Sequence, residues 1–135
     1  MQVFISYSQQ DEEWASKIRK VLEKEGLDVW DEGREILPGD NWAEKVGEAL
    51  QESEAMVVLL TPNSPRSTNV KREIEYALGE KRYKDRLIPV IVGGYKDFTK
   101  EGIPWVLLRL KPIHLPEHGE EESIKQIAHA LKSAA

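Results

Sequence analysis

Short apolar, β-rich runs alternate along the chain with longer segments whose apolar positions recur at helical spacing. Strands are predicted at Gln2–Tyr7, Leu27–Trp30, Ala55–Leu60, Leu87–Val92 and, more briefly, Pro112–Leu115. Val3-Phe-Ile, Met56-Val-Val-Leu-Leu60 and Ile88-Pro-Val-Ile-Val92 are almost uninterrupted in apolar character. Strands covered on both faces read this way, so the first, third and fourth are expected at the centre of a parallel sheet. Helices are predicted at Glu12–Lys24, Trp42–Gln51, Val70–Lys81 and Glu122–Lys132. In the first, Trp14, Ile18, Val21 and Leu22 form one stripe, Gly26 ends the helix, and Asp11 or a polar neighbour is placed at its N-cap. Strand and helix in strict alternation predict an α/β fold of βαβ units.

The segment Asp31–Asp40 breaks the pattern. It is polar, carries Gly33, Pro38 and Gly39, and reads as a loop. Connections from strand to helix usually take about 2 to 6 residues, so a longer one is expected to have a task. An open parallel sheet in the common order 2-1-3-4-5 binds ligands beyond the carboxyl ends of its strands, where the order reverses. That crevice lies between strands one and three. It receives Ser6-Tyr-Ser8-Gln-Gln-Asp11 and Thr61-Pro-Asn-Ser-Pro-Arg66, with Asp31–Asp40 as a lid.

The third long helix opens beside this crevice. Val70, Ile74, Ala77 and Leu78 are its predicted buried stripe, which leaves Glu73 about 85° from the stripe's centre and Glu75 on the opposite border. With Asn69 as N-cap, Glu73 falls at the fourth helical position, where the positive helix end, Lys71 and Arg72 favour its ionised form. An ionised carboxylate suits a developing cation. Cleavage of the glycosidic bond of NAD+ is such a reaction, because nicotinamide leaves without a general acid and the ribose approaches an oxocarbenium ion. The plainer alternative is a surface glutamate favoured by the helix dipole.

Composition narrows the classes. Nineteen basic against 24 acidic residues, a net charge of −5, argue against general nucleic-acid or anionic-membrane binding. Absence of cysteine excludes disulfides, thiolate metal sites and a cysteine nucleophile. The apolar start is too short for a signal peptide and no run approaches a membrane span, so a cytoplasmic protein is expected. His114, His118 and His129 lack zinc-site spacing, and no metal is expected. No Gly-rich phosphate fingerprint is present, and Gly93-Gly94 is placed in a turn. A phosphorelay receiver would need an aspartate where Thr61 stands and an acidic pair where Ser6-Tyr7-Ser8 stands. The run Lys81–Arg86 is placed on a solvated face.

Several of these residues carry a resemblance. Val3-Phe-Ile-Ser-Tyr-Ser8 with Asp11-Glu-Glu-Trp-Ala15 resembles the first box of Toll/interleukin-1 receptor (TIR) domains, particularly the bacterial type. Gly26-Leu-Asp-Val-Trp-Asp31 through Leu37-Pro-Gly39-Asp-Asn-Trp42 resembles the second box with its BB loop, and Ile103-Pro-Trp105 is an echo of the third. Ser67 through Glu73 resembles the pattern whose glutamate is catalytic in TIR enzymes that consume NAD+. The resemblance spans 1–135 as one domain and implies a flavodoxin-like five-stranded parallel sheet, order 2-1-3-4-5, with helices on both faces. It also implies NAD+ as substrate, with no separate cofactor, cleaved to nicotinamide and ADP-ribose or a cyclic variant. Assembly with other TIR domains through the BB loop, into a homo-oligomer or filament, is the implied switch in immune signalling.

Glu73 is then the catalytic candidate. Ser6, Tyr7, Ser8, Asp31, Gly39, Trp42, Ser67 and Asn69 are the substrate-binding candidates. Asn69 departs from the family, which often has tryptophan there, and the lost stacking is worth on the order of 1 kcal/mol. Trp42 is a candidate substitute, whereas Trp30 is expected in the core. The alternative from another class is a TIR interaction module that cleaves nothing.

Overall fold

A computed structural model describes residues 1–92, 105–110, 112–115 and 120–134. Five parallel strands, β1 (Gln2–Ser6), β2 (Asp28–Trp30), β3 (Ala55–Leu60), β4 (Leu87–Val92) and β5 (Ile113–Leu115), form one sheet in the order β2-β1-β3-β4-β5. All six residues of β3 are buried, as its unbroken apolar run requires at the centre of a sheet covered on both faces.

Among the described residues six α-helices accompany the sheet: α1 (Glu12–Lys24), α2 (Glu32–Glu35), α3 (Trp42–Glu52), α4 (Thr68–Gly79), α5 (Trp105–Leu108) and α6 (Glu120–Ser133). Strand alternation sorts the core into two layers. Val3, Ile5, Val57, Leu59 and Val90 point towards α1 and α6, meeting Ile18, Leu22, Ile124 and Leu131. Phe4, Met56, Val58, Leu60 and Ile91 point the other way, towards Val46, Leu50, Val70, Ile74 and Ala77 of α3 and α4. Trp30 lies half-buried in this second layer, stacked on Phe4 with ring centroids 5.1 Å apart.

Four local expectations change. The segment Asp31–Asp40 is not loop throughout: α2 occupies its first half, with the Asp31 side chain accepting from the Gly33 amide at 3.0 Å. Its residues are polar on every side, so no apolar period announces the turn of helix. Asp11 precedes α1 but makes no side-chain cap there, because its carboxylate is engaged across the crevice. The N-cap of α4 is Ser67, whose Oγ accepts from the Val70 amide at 3.2 Å, and Asn69 is already the second helical residue. Finally, Arg82 does more than occupy a solvated face: it donates to the Leu50 and Ser53 carbonyls at 2.5 and 3.1 Å, closing the C-terminal end of α3. The turn expected at Gly93-Gly94, the third-box residues Ile103-Pro104, and His118 lie outside the described residues.

Candidate functional site

The buried face of α4 consists of Val70, Glu73, Ile74 and Ala77, at i, i+3, i+4 and i+7. Leu78, expected in that stripe, is 45% exposed, and Glu73, expected at the border with solvent, is only 4% exposed. The helix is rotated so that a carboxylate fills a position an aliphatic side chain would normally take.

Strand parity decides what that carboxylate meets. Ser6 continues the even face of β1 below Phe4 and points to the α3–α4 side, where its Oγ donates to Glu73 Oε1 at 2.7 Å. Glu73 Oε2 is buried with no hydrogen-bond partner. Burial in this apolar layer raises the Glu73 pKa from the usual carboxylate range to about 8; the Ser6 hydrogen bond opposes the rise and the charge of Glu32 adds to it. The expectation of a carboxylate held ionised by the helix dipole is therefore corrected. Glu73 is the sixth helical residue after the Ser67 cap, beyond the reach of the first turn, and desolvation outweighs the dipole.

Tyr7 has the opposite parity and packs towards the α1–α6 layer. Its hydroxyl donates to Asp31 Oδ1 at 2.5 Å and accepts from the Gly33 amide at 3.3 Å. Burial, then the Asp31 carboxylate, push its pKa well above the ordinary tyrosine value. Asp31 is itself 5% exposed, and its other oxygen pairs with Arg19 Nε at 3.2 Å. The start of the lid is thus pinned to the loop after β1 and to α1. Gly33 permits the approach, since a Cβ there would lie 3.0 Å from the Tyr7 hydroxyl.

A cleft of about 330 Å³ opens between these parts, lined by Tyr7, Gln9, Glu12, Glu32, Gly33 and Ile36. One wall is the loop after β1 and the other is the lid. Trp42, half-buried at the start of α3, donates its indole Nε1–H to Glu32 Oε1. Ile36 anchors the lid's far end against the α3–α4 layer. The crevice floor is fixed by the buried Asp11, which accepts from Thr61 Oγ1 at 2.6 Å and Asn63 Nδ2 at 2.9 Å and so ties the loop after β1 to the loop after β3.

Of the candidates read from the sequence, the fold joins Ser6 with Glu73 and Tyr7 with Asp31. Ser8 is buried and its Oγ donates to Gln10 at 2.5 Å. Ser67 is used as a helix cap, Asn69 is exposed, and Gly39 sits exposed in the lid turn with φ of +93°. Tyr7 is the candidate that lines the cleft; Glu73, Ser6, Ser8, Asp31, Gly39, Trp42, Ser67 and Asn69 do not. Glu32 and Glu12 line it and were not singled out as site residues. Glu32 was hidden inside a uniformly polar lid, although its position directly after a capping aspartate was a usable signal. His114 and His129 are exposed on β5 and α6, away from the crevice. No helix among the described residues is long and apolar enough to cross a membrane.

A doubly wound parallel sheet with a lid at its topological switch point places the chain among the flavodoxin-like domains. A family profile for the TIR domain matches residues 3–131, and the chain belongs to that family. The TIR domain of the Toll-related receptor TRR-2 from Hydra magnipapillata is similar in structure, with TM-score 0.74, 18% identity, and coverage of 96% of this chain and 97% of that one. The TIR-STING receptor of C. gigas in complex with 2′,3′-cGAMP is similar at TM-score 0.75 and 26% identity, over 96% of this chain but 38% of the receptor chain. The TIR domains of the activated Roq1 resistosome, which directly recognizes the pathogen effector XopQ, are similar at TM-score 0.72 and 18% identity over 99% of both chains. No curated protein sequence gives a significant match.

Proposed function

We propose that this TIR domain is an NAD+ glycohydrolase of the bacterial type, active in the cytoplasm and switched on when copies assemble through the Asp31–Asp40 lid. The observation that carries the reading is Glu73, a carboxyl group in an apolar stripe with one oxygen held by Ser6 and the other unpartnered. A buried ionisable group maintained against its desolvation beside a crevice is the pattern of a functional site. In the reaction the C1′–N bond of the nicotinamide riboside breaks and its electron pair leaves with nicotinamide, which becomes neutral. The resulting oxocarbenium character at C1′ is stabilised by Glu73 once the lid moves and the group ionises. Water, or a group of the same nucleotide, then takes C1′ to give ADP-ribose or a cyclic product. Tyr7 and Asp31 would hold the mouth of the pocket, and Trp42 is the aromatic group adjoining the cleft, since Trp30 is stacked on Phe4.

Assembly explains the resting state. In the single chain Glu73 is covered and predominantly protonated near neutrality, so an isolated copy is inactive. Lid contact with a second copy supplies the displacement. The exposure of Asn69, where the family often has tryptophan, favours the second reading, a TIR module that only assembles. Concentrated protein incubated with NAD+ should release nicotinamide, followed by chromatography, and Glu73→Ala should abolish release. No release under assembling conditions, with the fold intact by circular dichroism, selects the second reading.

A further inference from the structure

Between Thr61 and α4 the chain is hydrogen-bonded at a three-residue step. Ser64 is buried, and its Oγ donates to the Thr61 carbonyl at 2.8 Å and accepts from the Thr61 amide at 3.1 Å. The Ser64 carbonyl accepts from the Ser67 amide at 3.0 Å, and the Ser67 Oγ caps the Val70 amide. Glu73 is the next step, one turn along the buried face of α4. The head of this ladder is held from another branch of the fold. Asp11, whose own amide donates to the Ser8 carbonyl at 2.8 Å, accepts from the Thr61 and Asn63 side chains. We propose that Asp11 is a positioning residue that sets the rotation of α4 about its axis, so that Glu73 rather than Leu78 turns inwards to Ser6. The placement is a property of the fold, and only its consequence for turnover rests on the glycohydrolase reading.

The side chains of α4 alone favour a different rotation. At about 100° per residue, the centre of the stripe Val70, Ile74, Ala77 and Leu78 lies roughly 40° from the centre of the face that is buried. Turning by that amount would bury Leu78, now 45% exposed, and return the Glu73 carboxyl to water. Something outside the helix therefore holds it. The Ser6 hydrogen bond is one such hold, but a single neutral hydrogen bond offsets only part of the desolvation of a buried carboxyl group. Asp11 supplies the second. Both of its oxygens are taken by donors of one loop, which fixes the path of that loop away from β3. The ladder carries this constraint into the first turn of α4 without an unbonded step. A rod attached at its end and again one turn along cannot turn about its axis, whereas either attachment alone would let it.

The test is a titration of Glu73 by carbon-detected NMR in protein labelled at glutamate carboxyls, with Glu73→Gln assigning the resonance. Burial is the largest influence on this midpoint, ahead of the Ser6 hydrogen bond and the charge of Glu32, and the variants alter neither of those residues. Thr61→Val keeps the side-chain shape and removes a donor to Asp11. It should raise the Glu73 ionisation constant about tenfold or more as the carboxyl turns to solvent. Asn63→Ala, the milder break, should move it the same way by less. Leu78→Ala alone should leave the midpoint in place, and added to Thr61→Val should restore it, because the helix no longer gains by burying position 78. Leu131→Ala, in the opposite core layer, should lower stability without moving the midpoint, as loss of ordinary packing does. An unmoved midpoint in both Thr61→Val and Asn63→Ala overturns the proposal, as does a shift that Leu78→Ala fails to reverse. If Thr61→Val does not fold, Asn63→Ala with and without Leu78→Ala decides. Nicotinamide release is measured in parallel. A midpoint that moves and is restored, with no release from the parent under assembling conditions, upholds the positioning and removes the glycohydrolase reading. Release from the parent with an unmoved midpoint does the reverse.

Discussion

At the scale of one residue, Glu73 ties the stability of the fold to pH. Its pKa is about 8 in the folded chain against about 4.5 when exposed, so the folded form holds this proton more tightly than the unfolded one. The associated stability is complete below the unfolded value and is lost as pH rises towards 8. Glu73→Gln, which stays neutral, should therefore melt close to the parent at pH 5 and several degrees above it at pH 8, as differential scanning calorimetry would show. In that window the gap grows by up to about 1.4 kcal/mol per pH unit. A constant gap between the two proteins would mean that Glu73 is not buried as a neutral acid. Periodicity alone did not place this side chain. Leu78 is the more apolar candidate for the stripe, yet the helix rotates to bury Glu73 where Ser6 can donate to it. Ser6 itself was legible from strand parity, because a side chain two residues after Phe4 shares its face.

At the scale of elements, the β3, β4 and α1 bounds coincide with those read from the sequence, because unbroken apolar runs and a single amphipathic stripe carry strong periodic signals. What failed was signalled by no period. The turn of helix α2 is polar throughout, and the C-terminal closure of α3 comes from Arg82, thirty residues away in the chain. That closure has a measurable worth. Arg82 donates to two carbonyls and to the Tyr76 hydroxyl at 3.1 Å, and the Tyr83 hydroxyl donates to the Leu50 carbonyl at 2.5 Å. Arg82→Ala should lower stability by about 1 to 2 kcal/mol in urea unfolding, with no change in nicotinamide release per folded molecule. A difference below about 0.3 kcal/mol would return Arg82 to the solvated surface.

At the scale of the whole molecule, the lid presents its least soluble side chain outward. Leu37 is 63% exposed at the tip, beside Gly39 in a backbone conformation that proline cannot adopt. If assembly runs through this tip, Leu37→Asp and Gly39→Pro should each shift sedimentation towards the monomer and reduce turnover at high protein concentration. Melting temperature should stay within about 2 °C of the parent, since the tip contributes little to either core layer. Unaltered sedimentation in both variants would exclude the lid as the contact surface.

The strand order also sets a timetable for synthesis. Strand β1 is made first and finds both its neighbours, β2 and β3, early in the chain, so one side of the sheet is complete while later residues are still being added. The outer edge of β4 waits for Ile113–Leu115, and α6, which covers Val57, Leu59 and Val90, comes later still. A ribosome paused between β4 and β5 would hold a half-roofed sheet with an open strand edge, the state in which this protein is most exposed to mispairing with another chain.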